Sequence, residues 1–146
     1  MAEKIPRRQW CTITPHEQWD PPVIQALAIA AGGAFGALLR YWVSTGTHAL
    51  LGRGFPYGTL TVNVLGSLLM GFLYIWLLDR MVTGPAVRAF LLIGLLGAFT
   101  TFSTFSIETL NLIEAGQAGR ALANVLISVT LCIAAAGIGV LAARQI

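Results

Sequence analysis

Four stretches of this chain are each apolar and long enough to cross a bilayer, and they leave it few ways to fold. They run from about Val23 to Leu39, Tyr57 to Leu78, Ala89 to Ile107 and Ala121 to Ala143. A helix needs about 20 residues to cross the hydrocarbon, and in lipid its backbone polar groups must be satisfied within the segment. Four transmembrane helices, an all-α membrane protein, is the expected fold. The links are short and rich in Gly and Pro: Gly52, Gly54 and Pro56, then Gly84 and Pro85, then Gly116 and Gly119. Short links favour antiparallel neighbours. Composition agrees, since 10% of the 146 residues are charged, against about 25% in soluble domains.

Residues 1–21 read as a polar N-terminal tail, disordered or interfacial, with Trp10 and Trp19 at headgroup level. No apolar core follows a basic start within it, so it is not expected to be a cleavable signal. Pro21-Pro22 mark the start of the first span, and residues 22–146 form the membrane domain.

The charges exclude several functions. Nine basic residues stand against six acidic ones, placed singly apart from Arg7-Arg8. They suit headgroup anchoring and give no basic face for nucleic acid. Cys11 and Cys132 lie in different environments without a CxxC or a nearby His, and neither reads as a metal ligand. His16 in the tail and His48 in a loop lack a nucleophile or carboxylate at helical spacing, so no enzyme is expected. Outside the tail, Arg80, Arg88 and Arg144 fall on the side bearing the N-terminus, and Arg40, Arg53 and Arg120 on the other. Three against three gives no positive-inside bias, so both orientations, and an antiparallel dimer of the two, are open to the chain.

Small residues recur at spacings that let helices approach closely: Gly32 with Gly36, Gly33 with Ala37, Ser67 with Gly71. Asn63 lies inside the second span, with Ser67 one turn later on the same face. An Asn at that depth needs partners, and its two N–H donors suit either an anion or a neighbouring helix. The third span is the least plain. From Gly97 to Ser106 it carries three Thr and two Ser among aromatic rings. Gly94 and Gly97 weaken the helix just before Thr100 and Thr101. A break at its middle would free carbonyls for a cation such as Na+; an unbroken helix with hydroxyls bonded back one turn is the alternative. Phe102 and Phe105 project from one face, as core packing or as electropositive ring edges turned to an anion. Ser103, Thr104 and Ser106 add hydroxyls, and Glu108 lies one turn after Thr104. Asn124 and Ser128 form a polar pair in the fourth span, and Arg40 ends the first as a snorkelling anchor.

Taken together these motifs resemble the CrcB/Fluc family of fluoride channels. Gly32 to Tyr41 looks like the family's GGxxGAxxRY signature, Thr61 to Ser67 like its second-helix motif, and Gly97 to Phe105 like its GGxTTFSTF, with Ala98 where the family usually has Gly. The likeness covers about residues 22–146. It implies a dual-topology homodimer in the cell inner (plasma) membrane, with two antiparallel pores for passive export of fluoride. Phe102 and Phe105 would touch the anion, and Asn63 would donate to it. Ser103, Thr104, Glu108 and Ser128 would line a polar path, with Asn124 and Arg40 as weaker candidates for path and vestibule. Carbonyls of Gly97 and Thr100 would hold a structural Na+ at the dimer centre. Fluoride, membrane lipid and a second copy of the chain are the implied partners. The competing readings are a small dual-topology cation/proton exporter, which would need a carboxylate at membrane depth, and a membrane subunit that transports nothing.

Overall fold

The computed structural model describes residues 21–79 and 84–146, and every regular element among them is helical. The order is α1 (Pro22–Leu51), α2 (Tyr57–Asp79), α3 (Pro85–Arg88), a π-helical segment (Ala89–Leu96), α4 (Gly97–Phe99), α5 (Phe102–Glu114) and α6 (Ala118–Ala143). Four stretches are long and apolar enough to span a membrane: Pro22–Leu51, Tyr57–Leu77, Pro85–Glu114 and Ala118–Ala143. The expected tail falls on residues outside those described, apart from Pro21.

The first helix extends well past the expected stop. Arg40 does not end it, and His48 is helical rather than in a loop. The apolar run marks the hydrocarbon thickness, whereas the helix itself ends where Gly52 turns to φ 80° and its N–H bonds the His48 carbonyl. Only Gly adopts that backbone without strain. A second such turn joins α5 to α6. Gly116, at φ 72°, donates to Ile113 O (2.9 Å) while Gln117 N–H reaches Leu112 O (2.8 Å), which satisfies the last carbonyls of α5.

Glycines set the two close crossings. A Cβ on Gly32 would lie 2.9 Å from Leu95 N and against Phe90 O, and one on Gly36 would strike Leu95 O. From the other side, a Cβ on Gly94 would lie 2.6 Å from Ile29 O. Here α1 meets the π-helical segment backbone to backbone, so Gly94 is also a packing residue. The α2–α6 crossing repeats the device, with Gly71 over Ala136 O and Gly139 over Leu68 O and 2.8 Å from Phe72 N. Such approach replaces the hydrophobic drive that is absent between helices in lipid.

Candidate functional site

The third candidate span leaves helical geometry at two residues. Thr100 has φ −80° and ψ 157°, and Thr101 has φ −150° and ψ 111°. The sequence of events is local. Thr100 N–H still bonds Leu96 O (3.1 Å) and its hydroxyl donates to the same carbonyl (3.1 Å). The next N–H, that of Thr101, turns instead to Asn63 Oδ1 on α2 at 2.8 Å. Asn63 Nδ2 returns a bond to Thr101 O at 3.0 Å. One amide side chain thereby satisfies both polar groups of an extended residue at membrane depth, where an unpaired group costs several kcal/mol.

Thr101 then starts α5. Its Oγ1 accepts from Thr104 N–H (3.3 Å) as an N-cap and lies 2.8 Å from Thr104 Oγ1 and 3.4 Å from Ser103 Oγ. In a continuous helix the carbonyl of residue i takes the N–H of i+4. Thr101 N–H and Thr104 N–H, the helical donors to Gly97 O and Thr100 O, are both engaged elsewhere. Among the described residues no other backbone N–H bonds either carbonyl across the interruption.

A cavity of about 340 Å3 opens beside this point. Asn63, Ser67, Thr100, Thr101 and Ser128 are its polar lining residues, beside Phe102, Phe105, Met70, Val129, Cys132 and Ala136, and most of its wall is apolar. Gly66 also lines it; its hydrogen leaves room for Thr100 Cγ2 and the Phe99 ring. The rings of Phe102 and Phe105 stand 5.5 Å apart and tilted by 42°. Phe105 is buried at 9% exposure, whereas Phe102 is 78% exposed and stands at the open side.

Hydrogen bonds extend the site into α6. Ser128 Oγ donates to Asn124 Oδ1 (3.3 Å), Asn124 Nδ2 to Thr109 Oγ1 (2.8 Å), and Thr109 Oγ1 to Phe105 O (2.7 Å). Asn124 is 1% exposed.

The expected site residues therefore divide. Asn63, Phe102, Phe105, Ser128 and Thr100 share the cavity. Ser103 and Thr104 bind Thr101 at its edge, and Asn124 stands behind Ser128. Gly97 is exposed on α4, where a Cβ would meet Leu92 O at 3.7 Å, an ordinary contact. Glu108 lies elsewhere, in a second cavity of about 400 Å3 with His48, Arg53, Asn111 and the 54–56 loop. Its Oε2 is buried without a hydrogen-bond partner. Arg40 lines neither cavity and sits half-buried within α1. Two polar residues here, Thr101 and Thr109, are not among the expected site residues. Thr101 was legible as the Ser/Thr preceding a helix start. Thr109 had a weaker signal, its place one turn beyond Phe105.

Known proteins are similar to this chain over most of its length. A family model described as CrcB-like protein, Camphor Resistance (CrcB), matches residues 27–140. A protein named fluoride-specific ion channel FluC from Methylococcus capsulatus is 53% identical over 123 residues, 84% of this chain and 54% of its own length. This chain thus spans about half the length of that relative. Proteins of the same name from Magnetococcus marinus (50% identical over 123 residues) and Coxiella burnetii (52% over 124) are each matched over 84% of this chain and 100% of their own length. The matched stretch holds the glycine crossings, the interruption at Thr100 and Thr101 and the cavity. The chain belongs to the CrcB family.

Proposed function

We propose that this protein is a fluoride-selective channel that lets fluoride leave the cell passively and so protects it. Support comes from the exchange between Asn63 and Thr101, which opens the third span beside a cavity of amide, hydroxyl and aromatic groups. Relatives that match along their whole length carry the name of a fluoride-specific ion channel. The family is one of ion channels, and this chain is not an enzyme.

Fluoride is small and strongly hydrated, so a selective pore must replace water with strong donors. An amide NH2 carries two hydrogens, and the bond to Thr101 uses one. In this reading the second donates to the anion. Ser128 is bonded to Asn124 at 3.3 Å, a long hydrogen bond that is cheap to exchange for one to fluoride. The ring edges of Phe102 and Phe105 are electropositive and complete the shell without a fixed charge that would trap the ion. Ser103, Thr104 and Asn124 continue the polar path, and Glu108 marks the second cavity as its mouth. Arg40, which lines neither cavity of the single chain, is assigned to the vestibule of the assembled channel. Selectivity comes from the cost of an imperfect shell, which is greatest for the most strongly hydrated ion and lowest where donors are already held in place.

The third span acts as a broken helix. The carbonyls of Gly97 and Thr100, stripped of their helical N–H donors, are hard oxygen ligands and fit a structural Na+. Such an ion would supply positive charge near two anion paths. Gly97 is exposed in the single chain, which suits a site completed by a second, antiparallel copy. The assembly proposed is a dual-topology homodimer with two pores in the inner membrane, formed by residues 22–146, with residues 1–21 as a polar tail.

A proton-coupled cation exporter needs a carboxylate at membrane depth; the carboxylate on the proposed path, Glu108, lines the second cavity, and none lines the cavity beside the interruption. A subunit without transport gives no reason for polar groups to converge there. The test is growth. Expressed in a bacterium stripped of its own fluoride export, the chain is expected to restore growth in millimolar fluoride. Correctly inserted protein that gives no protection contradicts the reading.

A further inference from the structure

We infer that Thr109 is a positioning residue for Phe105, holding the buried ring of the pair at a fixed depth by tying its turn of α5 to α6. The inference rests on the reading of Phe105 as a wall of the anion path. A Thr hydroxyl bonded to the carbonyl four residues earlier is common in membrane helices and does little by itself. Ser106 makes that ordinary bond to Phe102 O at 2.9 Å, on an exposed surface. Thr109 differs in its second partner. While its hydrogen goes to Phe105 O (2.7 Å), its lone pair accepts Asn124 Nδ2 (2.8 Å), and Asn124 is in turn held by Ser128 (3.3 Å). The two aromatic turns of α5 are thus treated differently. The turn of Phe102 carries a bond local to its helix. The turn of Phe105 is the end of a chain of three bonds that crosses to α6.

The donor order around Thr109 leaves no slack. A hydroxyl has one hydrogen, and this one is committed to Phe105 O. The Asn124 amide is buried, so removal of the Thr109 oxygen leaves its Nδ2 without an acceptor. Asn124 then has reason to turn toward another partner, which releases both Ser128 and the Phe105 turn. Thr109 does not line the cavity, so its effect on an ion there must pass through Phe105 or through Asn124 and Ser128.

The experiment measures fluoride efflux from liposomes at several internal fluoride concentrations, with parent, T109V, T109S and F105I protein compared. T109V keeps the shape and removes the oxygen. It is expected to be about tenfold slower, the size of effect of one buried donor left unpaired, while eluting at the parent's size in detergent. T109S restores the oxygen and is expected within about twofold of the parent. T109V as fast as the parent overturns the inference, as does T109S as slow as T109V, which would assign the effect to the methyl group. Should T109V not fold, T109C keeps the size with a weak donor and acceptor in place of the hydroxyl, and a rate equal to T109S overturns the inference. F105I separates the two levels. If F105I conducts like the parent, the role given to Phe105 in the proposed function fails, whatever Thr109 does.

Discussion

Asn63 does two things with one amide, and the order in which it does them matters. Its Oδ1 and Nδ2 first satisfy the N–H and C=O of Thr101, at 2.8 and 3.0 Å; what remains of its donor capacity can meet an ion. The side chain is therefore structural before it is functional. N63L removes both bonds and leaves two backbone groups unpaired, at about 1–3 kcal/mol each. Its melting temperature in detergent is expected to fall clearly, and fluoride transport to be lost. S67A, on the same face of α2 and lining the same cavity, is expected to shift stability by less than about 0.5 kcal/mol. A melting temperature for N63L equal to that of S67A would contradict the brace. This is also where sequence stopped being sufficient. An Asn at membrane depth announces that it has partners, but the choice between an anion and a neighbouring helix depends on a residue far along the chain. Spacing within one helix carries no information about that pairing. For the same reason spacing does not tell that Glu108, one turn from Thr104, lines a second cavity with His48 and Arg53 and not the one beside Asn63.

Among the elements, glycine pairs at the two crossings locate the helices that carry the site. The α1 crossing fixes the π-helical segment, which leads through α4 into Thr100. The α2–α6 crossing brings Asn63 and Ser128 to one cavity. G36A and G139A each drive a Cβ into a backbone oxygen, that of Leu95 or Leu68, where no side chain can move aside. Each is expected to cost about 1–3 kcal/mol and to lower the melting temperature. G46A lies in α1 with nothing near its Cβ and is expected to be neutral or to gain up to about 1 kcal/mol of helix propensity. Equal melting temperatures for G36A and G46A would contradict the crossing. The spans themselves, and the glycine pair Gly32 and Gly36, could be read from the sequence, because apolar length and small-residue spacing are local. Their ends could not. Hydropathy falls at Arg40, while the helix continues to Leu51 until Gly52 provides a cap.

For the molecule as a whole, the single chain buries little of its apolar surface. No more than 22% of any candidate span's most apolar window is buried, and large apolar side chains face outward on all four, among them Phe35, Leu69, Ile93 and Ile133. Lipid covers such surface readily, and so does a second copy. With Arg40 inside α1, the loop arginines give no strong orientation bias, and dual topology is the proposal to test. A reporter fused to the C-terminus is expected to give signal on both sides of the membrane, and signal from one side alone contradicts dual topology. The central claim, selective passive passage of fluoride, is tested most directly with purified protein in liposomes loaded with equal fluoride and chloride, without a pH gradient, and followed by ion-selective electrodes. The account predicts fast fluoride efflux with chloride retained. Chloride leaving at a similar rate, or fluoride remaining inside, would contradict it.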